Sequence, residues 1–155
     1  MRIALPNKGR LADRSLALLE RAGLRPESRA EGALAANLGS GFQGIFVRAQ
    51  DIPEFVADGA AEVGITGSDL VAEAGRDVED LLDLQFGRCR LVVAVKEDSS
   101  VQSLEGIEPG TRIATAFPRA TEMFFRNAGI PITVARVSGA AEIAPHLGVA
   151  EVIVD

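Results

Sequence analysis

The sequence predicts an α/β fold in two lobes, and three observations carry that reading. With 155 residues, 47% of them hydrophobic, the chain is in the range of one packed domain or two small lobes. Short apolar runs break into turns rich in Gly, Thr, Ser and Asp before helix-like sequence resumes, most clearly in G-A-A-E-V-G-I-T-G-S-D-L, residues 59–70. From Arg112 onward, strands alternate with helical stretches of about ten residues, which implies parallel pairing with right-handed crossovers.

The elements follow in order. An apolar strand, Arg2 to Leu5, leads through the polar loop Pro6 to Arg10 into a helix on which Leu11, Leu18, Leu19 and Ala22 fall at helical spacing, with Gly23 ending the run. The weakly patterned stretch Glu31 to Gln43 predicts a loop or an edge hairpin before a strand from Gly44 to Arg48. Asp51-Ile52-Pro53-Glu54 has the acceptor, early proline and following glutamate of a helix start, so Asp51 is expected to cap a helix running to about Asp58. Val63 to Ile65 is the next strand. Gly67 lets the backbone turn sharply or approach a bound group, and Ser68 or Asp69 is expected to cap the helix that follows.

Arg88 to Lys96 reads as a long apolar strand with Cys89 in the core, and the polar stretch Glu97 to Gly110 reads as the entrance to a second lobe. The boundary falls near Gly87, giving lobes 1–87 and 88–155. Strand Arg112 to Thr115, helix Pro118 to Ala128, strand Ile132 to Val137, helix Ser138 to Leu147 (finished by His146) and strand Val149 to Val154 complete the chain.

Composition excludes several functions. No apolar run approaches the roughly 20 residues of a spanning helix, and M-R-I-A-L-P turns polar too soon for a signal peptide, so a cytoplasmic location is expected. A single cysteine, Cys89, and a single histidine, His146, argue against an internal disulfide, a structural zinc site and thiol-histidine catalysis. A formal charge of -6, with no Tyr or Trp, argues against nucleic-acid binding. Any phosphate site must be local.

Candidates for such a site cluster at strand ends. Ligands of parallel sheets collect beyond the carboxyl ends of the strands, where Thr66, Thr115, Ser138 and Asp155 are expected to converge on one cleft. Lys8 and Arg10 flank Gly9 at a strand-to-helix junction, and Arg48 ends another strand. Arginine offers phosphate a planar fork, whereas lysine is a compact point charge. Thr115 ends a strand, Phe117 suits stacking on a base, and Pro118 opens a helix at a position that tolerates proline. Each feature alone is also an ordinary one: solvated surface cations, a buried phenylalanine, a capped turn.

Taken together, these segments resemble the ATP phosphoribosyltransferase family, which opens histidine biosynthesis. The resemblance runs through A-L-P-N-K-G-R-L near the start, D-I-P-E-F-V from Asp51, G-A-A-E-V-G-I-T-G-S-D-L from Gly59 and D-L-Q-F-G-R-C-R-L from Asp83. It continues in R-I-A-T-A-F-P from Arg112 and S-G-A-A-E-I-A-P-H-L-G-V-A-E-V-I-V-D from Ser138. The P-N-K-G opening looks more like the family's long, self-regulated type. The resemblance implies two lobes of the type II periplasmic-binding-protein architecture with the active site in the cleft between them. It implies that N1 of ATP attacks C1 of phosphoribosyl pyrophosphate and expels pyrophosphate with magnesium assistance. It also implies a homo-oligomer, with a completing or regulatory chain as a further partner.

Carried over by motif, Lys8 and Arg48 are electrostatic residues facing phosphates, with Arg10 beside them. Thr66, Gly67, Asp69, Thr115 and Phe117 shape the ATP side. Glu142, Glu151 and Asp155 lie on the phosphoribosyl side, accepting from ribose hydroxyls or engaging Mg²⁺ indirectly. No nucleophilic side chain and no direct metal ligand is implied, since positioning and electrostatics suffice for such a transfer. Glu151 and Asp155 share one face of a strand, but four extended residues span about 13 Å, so the chain bends before Asp155 or only one of them binds.

The sequence departs from the family pattern after Asp155, where the family continues into a Thr-Gly-rich loop for the 5'-phosphate, a return into the first lobe and, in the long type, a histidine-binding regulatory domain. Losing even three charge-assisted bonds, at roughly 1.5 to 3 kcal/mol each, weakens binding by about three to six powers of ten. Glu151 stands where the family usually has Asp. Two other readings therefore stand beside the enzyme: a non-enzymatic small-anion binding module of periplasmic-binding-protein type, and an inactive fragment of the enzyme.

Overall fold

The computed structural model describes residues 1–26 and 33–155, so Glu31 and Gly32 of the weakly patterned stretch lie outside the described residues. The chain divides into two compact units, Met1–Arg88 and Cys89–Asp155. Each is built on its own four-stranded mixed sheet, an α/β architecture. Among the described residues, no helix is long and apolar enough to cross a membrane.

In the first unit, β1 (Arg2–Pro6) pairs in parallel with β3 (Phe42–Val47) on one side and β4 (Val63–Gly64) on the other, and β2 (Ala35–Gly39) adds an antiparallel edge to β3. The β2–β3 pair is the edge hairpin that the glycine-rich stretch allowed. β1 is buried along Ile3, Ala4, Leu5 and Pro6, because a strand flanked by parallel neighbours has both faces covered. One face carries the larger core, Ile3, Leu5, Leu19, Ala36, Leu38 and Phe46. The other packs Ala4 against Ile52 and Ala61. Helix α1 (Gly9–Arg21) buries Ala12, Ser15 and Leu19, while Leu11 and Leu18 are half-buried and Ala22 is exposed. Ser15 hides this stripe from a hydropathy reading: its hydroxyl donates to the Leu11 carbonyl at 2.7 Å, which lets a polar residue sit on the core face. Helices α2 (Ile52–Ala57) and α3 (Ser68–Ala74) complete the unit.

In the second unit, β5 (Val93–Val95) runs antiparallel to β8 (Val152–Val154), which is parallel to β6 (Arg112–Thr115), itself parallel to β7 (Thr133–Arg136). Ile107, Ile113, Phe125, Val152 and Val154 form the core of one face, covered by α4 (Pro118–Asn127) through Thr121 and Phe125. The opposite face is lined by the small side chains Ala114, Ala135, Ala144 and Ala150.

Several expectations need correction. The Arg88–Lys96 strand shrinks to Val93–Val95, extended one step by the mutual bonds of Val92 and Asp155. Ladder pairing among the described residues begins at Val92, and Cys89 is exposed and not in the core. The Ser138–Leu147 helix is replaced by a single 3-10 turn, Ala141–Ile143, followed by turns through Gly148. Two local features break it: Ala140 takes the left-handed conformation, φ 51° and ψ 42°, and Pro145 lacks the N–H that a helix interior needs, although Ala144 before it keeps helical backbone. Val149–Val154 shortens to Val152–Val154. Asp51 stands at the start of α2 but makes no side-chain cap bond. The N-cap of α3 is Gly67, with Ser68 and Asp69 inside its first turn.

Candidate active site

Because β1, β3 and β4 are parallel, the first unit presents three carboxyl ends on one sheet edge. Pro6 pairs with Val47, and the Asn7 N–H donates to the Val47 carbonyl at 2.8 Å, so Lys8 and Arg48 leave neighbouring strands about 4.8 Å apart. Lys8 is the N-cap residue of α1, with extended backbone and no side-chain cap bond. Gly9 follows at φ +79°, a conformation that favours glycine, and it turns the chain into the helix. The first turn of α1 carries no acidic residue, so its partial positive end and unpaired N–H groups are joined by two exposed cations, Lys8 and Arg10.

Arg48 opens a 3-10 turn, Ala49–Asp51. Its Nε donates to Asp51 Oδ2 at 2.7 Å and its Nη2 to Oδ1 at 3.2 Å. Sequence reasoning assigned Asp51 to a helix cap and missed this pair, although opposite charges three residues apart were the available signal. Thr66, beyond β4, donates its hydroxyl to the Ala49 carbonyl at 2.7 Å and so ties the third strand end to the turn after the second. Gly67 has φ -78° and ψ 141°, which any residue adopts, so it is not needed for the turn. A Cβ there would lie 2.1 Å from Asp69 Oδ1, because the Asp69 carboxylate folds back over it, so any larger residue would displace that flexible side chain. Lys8, Arg10, Arg48, Thr66, Gly67 and Asp69 thus share one edge.

In the second unit, Thr115, expected to shape the ATP side, is fully buried. Its Oγ1 accepts the Phe117 N–H at 2.9 Å and the Thr121 hydroxyl at 3.3 Å, so it fixes the turn that presents half-buried Phe117 at the head of α4. Thr115 pairs with Val154, so Asp155 emerges at the same end of the sheet as Phe117. Glu151 does not. Its N–H bonds the Arg112 carbonyl at 3.2 Å, beside the first residue of β6, and the ladder from Val152 to Asp155 runs without a bend. Glu151 therefore sits at the opposite end of the sheet from Asp155, and only Asp155 joins the carboxyl edge. Ser138 and Glu142 are exposed in the connection after β7, and among the described residues no hydrogen bond ties them to that edge.

Among the described residues, no three His, Cys, Asp or Glu side chains cluster to hold a metal ion. His146 lies exposed in a shallow depression with Lys96, Glu97 and Asp98. What the first edge can do chemically is hold anions; what the second can do is stack on a flat ring through Phe117 and accept from hydroxyls through Asp155.

A family model described as "HisG: ATP phosphoribosyltransferase" matches residues 48–155. An "ATP phosphoribosyltransferase" from Gemmatimonas aurantiaca is 61% identical over 158 residues, covering 100% of this chain and 54% of the relative. One of the same description from Methanosarcina acetivorans is 48% identical over 157 residues, with the same coverage of 100% and 54%. Among solved structures, the "ATP phosphoribosyl transferase (HisG:HisZ) complex from Thermotoga maritima" matches with a TM-score of 0.84 at 26% identity, covering 100% of this chain and 73% of that one. The chain spans about half the length of the curated relatives it matches.

Proposed function

Because this chain belongs to the ATP phosphoribosyltransferase family, we propose that it joins N1 of ATP to C1 of phosphoribosyl pyrophosphate, giving phosphoribosyl-ATP and pyrophosphate, in the cytoplasmic synthesis of histidine. The observation that carries the reading is the cationic edge of the first unit. Lys8 caps a 13-residue helix whose first turn holds no acid, and Arg48 leaves the neighbouring strand. Such an edge suits the charge of a pyrophosphate or triphosphate, and preorganised cations stabilise leaving-group charge as the glycosidic C1–O bond breaks.

The remaining residues orient. Phe117 stacks on the adenine, and Thr66, Gly67 and Asp69 shape the ATP side together with the turn that Thr115 holds. Asp155 accepts from ribose hydroxyls, with Glu142, exposed in the connection after β7, as a weaker contributor. Glu151 acts at most from the far end of the strand. No side chain attacks; two substrates held in line supply the rate. Asp155 and Glu142, as oxygen donors, would meet the water shell of a magnesium ion bound with phosphoribosyl pyrophosphate, and that ion would offset phosphate charge. Segments 1–87 and 88–155 serve as the two substrate-holding lobes. Self-association, and a completing or regulatory chain standing to this one as HisZ stands to HisG in the matched Thermotoga maritima complex, belong to the same reading.

The test is incubation of this chain with ATP, phosphoribosyl pyrophosphate and Mg²⁺, with phosphoribosyl-ATP sought by mass spectrometry and Lys8→Ala as control. Product that the control fails to make is expected. Product from both proteins alike would remove Lys8 from the site, and neither product nor ATP binding would overturn the reading in favour of an inactive fragment.

A further inference from the structure

Asp51 is read from sequence only as a helix cap, and the structure shows it gripping Arg48 instead. Resting on the reading of Arg48 as a phosphate-binding residue, we infer that Asp51 is a positioning residue that holds the Arg48 guanidinium by one edge so that its other edge meets a phosphate. The grip is side-on, through Nε and Nη2 at 2.7 and 3.2 Å. It engages two of the five N–H groups of the guanidinium. The end edge, formed by Nη1 and the second hydrogen of Nη2, has no partner among the described residues and is the edge that forks a phosphate.

The turn beneath this pair is fixed from several sides. The Asp51 N–H donates to the Arg48 carbonyl at 2.9 Å, and Thr66 Oγ1 clamps the intervening Ala49 carbonyl at 2.7 Å. Asp51 leads directly into Ile52 and Pro53, both buried, so its backbone is anchored to the core. The pair itself adds little to stability: the Arg48 side chain is 64% exposed and that of Asp51 31%, and such surface pairs are weak. What it removes is the rotamer freedom of a long side chain, a loss that the ligand would otherwise bear on binding. The Asp51 carboxylate also offsets part of the guanidinium charge. The edge therefore selects ligands that match its geometry, pyrophosphate and polyphosphate groups, over anions that offer charge alone.

A double-mutant cycle tests this on the full 155-residue chain, with inorganic pyrophosphate as probe, binding measured by isothermal titration calorimetry for every variant and the Arg48 Nε–H resonance followed by NMR in those that retain Arg48. Arg48→Ala is expected to weaken pyrophosphate binding at least about tenfold, and Asp51→Asn about threefold to tenfold. The double variant is expected to bind no more weakly than Arg48→Ala, since no guanidinium is left to position, and Asp51→Glu is expected to recover part of the loss. The inference is overturned if Asp51→Asn binds as tightly as the wild-type chain or more tightly, which would make Asp51 a competitor of the ligand. Losses that simply add in the double variant overturn it too, as a merely structural role would produce them. Should Arg48→Ala bind like the wild-type chain, or the wild-type chain not bind at all, it is the reading of Arg48 that falls, a result distinct from either of these.

Discussion

Replacing Thr115 by valine is expected to destabilise the second unit by about 2 kcal/mol, and by more than serine does. The side chain is fully buried, and its oxygen accepts the Phe117 N–H at 2.9 Å and the Thr121 hydroxyl at 3.3 Å. Valine keeps the shape and removes the acceptor, leaving two donors without their partner, one of them on a residue that is itself only 1% exposed. An orphaned donor costs about 1 to 3 kcal/mol, partly offset by the added apolar surface, hence the figure of about 2 kcal/mol, or about thirtyfold in the folding equilibrium. Serine keeps the oxygen and deletes one methyl group, a loss of about 1 kcal/mol. Urea unfolding followed by circular dichroism gives the order of stabilities, and amide exchange at Phe117 localises the effect. A valine variant as stable as the wild-type chain, or a serine variant less stable than the valine one, would refute the argument that the hydroxyl, rather than the methyl, holds the Phe117 turn.

Two further outcomes are expected. Gly67→Ala should fold normally, because φ -78° and ψ 141° suit alanine, but its Cβ would meet Asp69 Oδ1 at 2.1 Å and force that carboxylate aside. Moving a side chain off its rotamer costs about 1 kcal/mol, so ATP affinity measured by calorimetry should fall about fivefold, and unchanged affinity would show that the placement of Asp69 does not matter. Glu62 is held below the ordinary glutamate value chiefly by accepting the Arg2 backbone N–H at 2.6 Å, with the Arg2 side chain adding to it. A lowered folded pKa gives stability that is present above the unfolded value and lost as pH falls through the folded one. Glu62→Gln should therefore lower stability at neutral pH and flatten the acid limb, with the two proteins converging below the glutamate range; parallel acid limbs for the two proteins would contradict this.

The central strands and α4 were legible because period and punctuation agreed there: Arg112–Thr115 stands as read, and the Pro118 helix stops one residue short of the expected Ala128. Where reading failed, a local rule was overridden by a partner that the sequence does not display. Ser15 fills a core position by bonding within its own helix. Asp51 has the right type and place for a cap but spends its carboxylate on Arg48. R-C-R-L-V-V-A-V-K has strand composition throughout, yet pairing begins only at Val92. The helix expected over 138–147 was a misreading of available information, since Pro145 already argued against it. For the site, strand-end logic placed Lys8, Arg48 and Asp155 just beyond the carboxyl ends of their strands, where the structure has them, but it could not foresee that Thr115 is buried, which depends on the packing of α4.

The net charge of -6 and the phosphate reading are compatible because they act over different distances. Exposed charges are screened beyond about 8 to 10 Å at physiological salt, so the acidic remainder of the surface contributes little at the carboxyl ends of β1 and β3. There the local balance is Lys8, Arg10, Arg48 and the positive end of α1 against Asp51 and Asp69, of which Asp51 is already engaged with Arg48. A nucleic acid would need cations spread along a surface to release many counterions, and this composition denies it. A nucleotide or a phosphorylated sugar needs one edge only. An acidic exterior disfavours long phosphate chains, while a short cationic rim is enough to retain a single group.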